Sequence, residues 1–165
     1  MSGCSDSDEE ARDRTRKAEA SAAQRLSERA VRDSEALLAQ YDAALLAHPD
    51  LGSRLSPLRH DVAEHRAAFH AASFLRGKPS PGATSPSPGA TASGSATAAG
   101  ATPEAADPAP ADARGALAAL AASERKLADS RSQQLVDAPD ELARLLASVS
   151  ASGAAHAYLL TEGKK

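Results

Sequence analysis

The chain has 165 residues, a net charge of -3 and 42% hydrophobic residues, with basic and acidic side chains intermingled; at this length one domain is expected. That balance supplies no basic field for nucleic acid and no single-sign face for a membrane, and no run of about 18 apolar residues is present to span a bilayer. Ile and Trp are absent while Ala fills 41 positions, so helix formers dominate, strand formers are scarce, and the expected class is all-α.

The N-terminus carries the lone cysteine, Cys4, which has no internal disulfide partner. Met1-Ser2-Gly3-Cys4-Ser5-Asp6 resembles the close of a bacterial lipoprotein signal, in which a small residue and Gly precede the cysteine that receives lipid. The apolar part of such a signal would lie upstream of Met1. The resemblance implies lipidation of Cys4 and a place in the cell envelope, on the outer face of the cytoplasmic membrane, with lipid as the only membrane contact. Without it, Cys4 is an incidental thiol on a loose chain end and the protein is cytoplasmic. Residues 1–24 are expected to form a flexible charged tether, a solvated helix or frayed lead-in, with Glu10 to Arg14 and Asp13 to Lys17 spaced for favourable i,i+4 pairs.

Residues 25–76 read as a helical hairpin. In its first helix Val31, Ser34, Leu38, Tyr41 and Leu45 form a stripe, widened by Leu37 and Leu46, and His48-Pro49 stops it because the residue before proline avoids the α region. In the second, Leu51, Leu55, Leu58, Val62, His65, Phe69 and Ala72 follow at alternating steps of four and three, the signature of one helical face. Asp50 is the expected N-cap. Pro57 predicts a short first turn, then a kink or restart with Ser56 as cap and Pro57 at the first position. Gly77 and Pro79 end the helix near Arg76.

Residues 77–110 hold seven of the ten prolines and no apolar side chain larger than Ala and Pro, so burial cannot offset the cost of ordering them and a disordered linker is expected. Such a chain reaches about 30 Å, against about 39 Å for a 26-residue helix, which leaves both a plain hairpin order and a long crossover open.

Residues 111–162 form a second hairpin. Asp112 caps a helix running to Val136 whose stripe is Ala113, Leu117, Leu120, Glu124, Leu127, Arg131 and Gln134. Asp137-Ala138-Pro139-Asp140 makes the turn, and Leu142, Leu146, Val149, Gly153, His156 and Leu160 line the last helix. The two hairpins together give a four-helix bundle.

Four ionisable residues fall on or beside these apolar stripes: Glu35, His65, Glu124 and His156. Glu35 and His65 stand 14 and 16 residues from Pro49 and so side by side. With a crossover, Glu124 and His156 come to the same level, with Glu64 as a further carboxylate and Tyr41 and Tyr158 near. Two Glu and two His suit one Fe, Zn or Mn ion; buried Glu and His also satisfy one another as plain hydrogen-bonded pairs that fix register, Glu124 to His156 or Glu35 to His65. No Ser or Cys stands beside a base as a nucleophile would, and no phosphate-binding glycine loop is present.

The inward carboxylates and histidines on two hairpins resemble the ferritin-like superfamily, which builds di-iron sites from a Glu on each of two helices and Glu-x-x-His on each of the others. Leu37-Leu38-Ala39-Gln40-Tyr41-Asp42, His48-Pro49, Leu55-Ser56-Pro57-Leu58-Arg59, Glu64-His65 and Ala154-Ala155-His156-Ala157-Tyr158-Leu159-Leu160 are similar to an actinobacterial family of ferritin-like lipoproteins of uncharacterised function. Carried over, Glu35 and Glu124 match the single carboxylates and His65 and His156 the histidines. The bridging carboxylates are missing: position 62 is Val and position 153 is Gly. The expected function is therefore a non-catalytic bundle of the envelope that binds a protein partner or at most one metal ion. The alternative is a metal-dependent oxidoreductase with a degenerate carboxylate and histidine site.

Overall fold

A computed structural model describes residues 5–76 and 110–162, with side chains from Glu9 to Ser73 and from Pro110 to Glu162. The expected linker and Cys4 lie outside the described residues. Four helices follow in order: α1 Ser5–Ala47, α2 Gly52–Arg76, α3 Ala113–Gln133 and α4 Asp140–Glu162. Short 3-10 turns at Pro49–Leu51 and Gln134–Asp137 join each pair, and no strand occurs among the described residues.

Local chemistry sets the helix ends. α1 stops at Ala47 because His48, ahead of Pro49, takes an extended φ of -133°. Asp50 does not cap α2: it sits inside the 3-10 turn, where the Leu51 amide bonds the His48 carbonyl at 3.0 Å. Nor does α2 restart at Pro57, which lies exposed within an unbroken helix. So close to the helix start the missing N–H costs one bond and the ring projects outward, so the packed face is undisturbed. Asp112 does cap α3, its carboxylate accepting from the Gly115 amide at 2.8 Å. The α-helical part of α3 ends at Gln133 rather than Val136, its last residues tightening into the 3-10 turn.

α1 packs along α2 and α3 along α4, and contacts of α1 with α3 and of α2 with α4 close the ring. Two apolar clusters fix the directions. One joins Leu37, Tyr41 and Ala44 to Leu55, Leu58, Ala116, Leu120 and Leu160; the other joins Ala23 and Ala30 to Phe69, Leu142, Leu146 and Val149. The start of α3 and the end of α4 therefore lie at the α1–α2 turn, where His48 Nε2 meets the Pro110 carbonyl at 2.9 Å and Arg54 donates to the Leu159 carbonyl. α2 and α3 run the same way, and the order is the crossover.

The expected flexible tether is helical from Ser5 onward and continuous with α1. Residues 9–20 are exposed all round, and Ala23 is the first fully buried side chain of α1. This stalk is sustained locally, by Arg16 on Asp13 at 3.2 Å, by Arg14 on the Glu10 carbonyl, and by Thr15 and Ser21 hydroxyls bonded one turn back. From Ser5 to Ala22 it extends about 27 Å.

Candidate functional site

Between the two apolar clusters α1, α3 and α4 each bring a buried polar side chain to one level of the core, and Asp61 of α2 reaches that level from the exposed rim. Tyr41 of α1 is fully buried and its hydroxyl donates to Glu124 Oε1 of α3 at 2.8 Å. The same oxygen lies 3.0 Å from His156 Nδ1 of α4. On the other side of that ring, Nε2 lies 3.4 Å from Asp61 Oδ2 of α2 and 3.3 Å from Ser152 Oγ. His65, one turn beyond Asp61, stacks on the His156 ring with centroids 6.2 Å apart and planes 23° from parallel.

Both nitrogens of His156 face a carboxylate, and only the protonated imidazole has two N–H groups to donate. The electrostatics agree. Burial alone would lower the His156 pKa, but the hydrogen bond and charge of Glu124, then those of Asp61, outweigh it and hold the value above the usual 6.5. His65 moves the other way, lowered by burial, then by the positive charges of His156 and Arg131. Of the two stacked rings, His156 is therefore the one that holds a proton more readily. Tyr41 is pushed far up by burial and by the Glu124 carboxylate, so its hydroxyl stays a donor.

Next to this cluster, Arg131 of α3 is buried to 3% exposure with its guanidinium 5.3 Å over the Phe69 ring. It donates to Ser34 Oγ at 2.8 Å, Ser34 in turn bonding the Ala30 carbonyl, while its Nε has no hydrogen-bond partner. Burial lowers its pKa, opposed by the charges of Asp33 and Glu124.

Of the four residues expected to converge, three do. His65, Glu124 and His156 meet, with Glu124 and His156 in the direct contact the spacing suggests. Glu35 does not join them: it is exposed and pairs with Arg66 at 3.3 Å. The inner line of α1 runs through Ser34, Leu37 and Tyr41, and a residue one step from Ser34 is turned by about 100° toward the rim. Glu64 and Tyr158 are exposed as well. Asp61 was not among the expected residues: it lies one step before Val62 on the stripe of α2, and helical spacing carries no signal of its reach across to His156. Arg131 stood on the stripe of α3, but a guanidinium is rarely buried, so only the regular step of the pattern could have pointed to it.

A two-metal centre does not fit these residues. Val62 is a buried core side chain where a bridging carboxylate would project. At Gly153 the space a Cβ would take is already claimed by Glu124, whose Oε2 lies 3.2 Å from that point. Nor do the four residues expected to hold a single ion come together, since Glu35 is elsewhere and His156 Nδ1 is taken by Glu124. Among the described residues no group of three or more His, Cys, Asp or Glu is arranged to hold a metal. Comparison of the chain with family models, curated proteins and solved structures gave no match.

Proposed function

We propose that this chain is a non-catalytic, ferritin-like helical bundle of the cell envelope, anchored through lipid on Cys4 and acting by binding a protein partner. One observation carries the non-catalytic part. Tyr41 and His156 both bond Glu124 Oε1, and the far nitrogen of His156 is flanked by Ser152 and by the rim carboxylate of Asp61, so the buried groups answer one another within the bundle. Such a network fixes helix register and pairing. The kinship with ferritin-like bundles is supported by the crossover order of the helices and by Glu124 and His156 standing where inward carboxylates and histidines of that superfamily would be. Its di-iron chemistry is not part of the proposal, because the residues at positions 62 and 153 supply no carboxylate.

The anchoring is supported by the stalk. Helix exposed at residues 9–20 lies between Cys4 and Ala23, the first buried residue among those described, and from Ser5 to Ala22 it would hold the bundle clear of a bilayer surface by about 27 Å. The test of catalysis is elemental analysis of natively purified protein with a parallel oxygen-uptake assay: no stoichiometric metal and no uptake are expected, and stoichiometric iron with oxygen consumption would overturn the reading. The test of anchoring is metabolic labelling with a radiolabelled fatty acid in the native host, where label lost in Cys4→Ala is expected. An unlabelled wild-type chain refutes it.

A further inference from the structure

The outer face of α4 differs from those of the other helices. α1 exposes Arg25, Glu28, Arg29 and Arg32, α2 exposes His60, Asp61, Glu64 and Arg66, and α3 exposes Arg114, Arg125, Lys126 and Asp129. On α4, no exposed residue between Arg144 and Glu162 is charged. The face is instead small in its middle, at Ala151 and Ala155, and carries two large apolar side chains near its end, Tyr158 at 58% and Leu159 at 52% exposure.

We infer that this face pairs with the same face of a second copy of the chain, the two α4 helices lying antiparallel. The pattern is complementary to itself under that arrangement and under no parallel one. Arg144 and Glu162 lie nine residues either side of position 153, which is five helical turns apart, so both project from the same line opposite Gly153. A two-fold axis at that level sets Arg144 of each copy, which within its own chain already pairs with Glu141 at 2.6 Å, against Glu162 of the other as a second carboxylate. It also sets each large side chain over a small one, Tyr158 over Ala147 and Leu159 over Ser148. Ala151 and Ala155 meet at the axis, where the absence of bulk lets the helices approach. An isologous contact requires this kind of self-matching surface. A parallel pair would instead oppose Arg144 to Arg144 and Tyr158 to Tyr158. The charges would repel and the bulk would collide.

A helix pair of this length buries on the order of 1,000 Å² in total, the low end for a specific interface, so the dimer is reversible. The inference stands whether or not Cys4 carries lipid. It is tested by sedimentation velocity of the full chain, in reducing buffer so that Cys4 cannot crosslink, from about 1 to about 200 µM, the range in which weak interfaces titrate. A monomer–dimer equilibrium is expected. Ala155→Glu, which places like charges at the axis, abolishes the dimer with an unchanged circular dichroism spectrum and melting point. Arg144→Glu weakens it about fivefold, the worth of two exposed ion pairs, and adding Glu162→Arg restores it. A chain that stays monomeric throughout, leaving the face to some other partner, overturns the inference. So does a dimer indifferent to Ala155→Glu.

Discussion

At the scale of single residues the core cluster is governed by where one proton sits and where one Cβ is missing. Folding raises the affinity of His156 for its proton, so the stability it contributes is complete below its ordinary pKa of 6.5 and is lost as pH rises through its higher folded value. Folding lowers that of His65, whose contribution is present above 6.5 and is lost as pH falls through its lower folded value. Stability should therefore peak near pH 6.5. Urea midpoints from about pH 5 to about pH 9 check this, and His156→Gln should remove the decline on the alkaline side. A profile that rises steadily to the alkaline end would contradict the assignment of the proton. Gly153→Ala tests the geometry. The exchange gains about 1 kcal/mol of helix propensity, but the new Cβ would stand 3.2 Å from Glu124 Oε2 and 3.5 Å from Ala128 Cβ. Glu124 cannot swing aside freely because its other oxygen is held by both Tyr41 and His156. Overpacking of this kind costs about 1 to 3 kcal/mol, so a net loss of about 1 kcal/mol is expected by chemical denaturation. A stabilised variant would mean that the carboxylate is not fixed.

At the scale of helices, the stripe of α4 was legible throughout: Leu142, Leu146, Val149, Gly153, His156 and Leu160 are all buried. On α2, Leu55, Leu58, Val62 and Phe69 are buried while Leu51, His65 and Ala72 flank them. On α1 the stripe holds at Ser34, Leu37 and Tyr41, which are buried, but not at Leu46, which is exposed. The large residues Val31, Leu38 and Leu45 lie on the shoulders, and Ala23, Ser27, Ala30 and Ala44 hold the inner line with Ser34, Leu37 and Tyr41. α1 comes so close to α2 that the Ser27 hydroxyl bonds the Phe69 carbonyl at 2.8 Å, and where backbones approach, small residues win over large ones. A pattern of side-chain hydrophobicity cannot register that preference. The same holds on α3, where Ala116, Ala121 and Ala128 are buried and Leu117 and Leu127 are only half so. The stalk supplies the prediction at this scale. With residues 9–20 exposed all round, deleting residues 9–20 should lower helical ellipticity in proportion to the turns removed. Because no burial is lost, the unfolding free energy should stay within about 0.5 kcal/mol of the full chain. A larger fall in stability would show that the stalk packs on the bundle.

At the scale of the whole molecule the crossover was the one feature that composition could not decide, because the proline-rich segment is long enough to reach either end. The described helices decide it: α2 ends and α3 begins at opposite ends of the bundle. The connection must therefore traverse the length of α2, 25 residues or about 37 Å, and at about 3.5 Å per extended residue that takes no fewer than about 11 residues. The segment 77–109 supplies 33. Cutting it to about 16 should leave the bundle intact and gain about 0.6 kcal/mol, the entropy recovered by halving a flexible loop. Cutting it to about four residues should not, since the chain then cannot pass from one end to the other. The hairpins of a single chain could no longer join Ala116 and Leu160 to Tyr41, or Leu142 to Phe69, and two chains would have to exchange hairpins to restore both clusters. Size-exclusion chromatography with light scattering, on chains carrying Ala155→Glu so that the α4 faces do not pair, distinguishes the outcomes: the shorter chain should elute as an intertwined dimer or unfold. If it stays a monomer of native stability, the helices run in plain up-and-down order, and the convergence of Tyr41, Asp61, Glu124 and His156 on one level falls with the crossover.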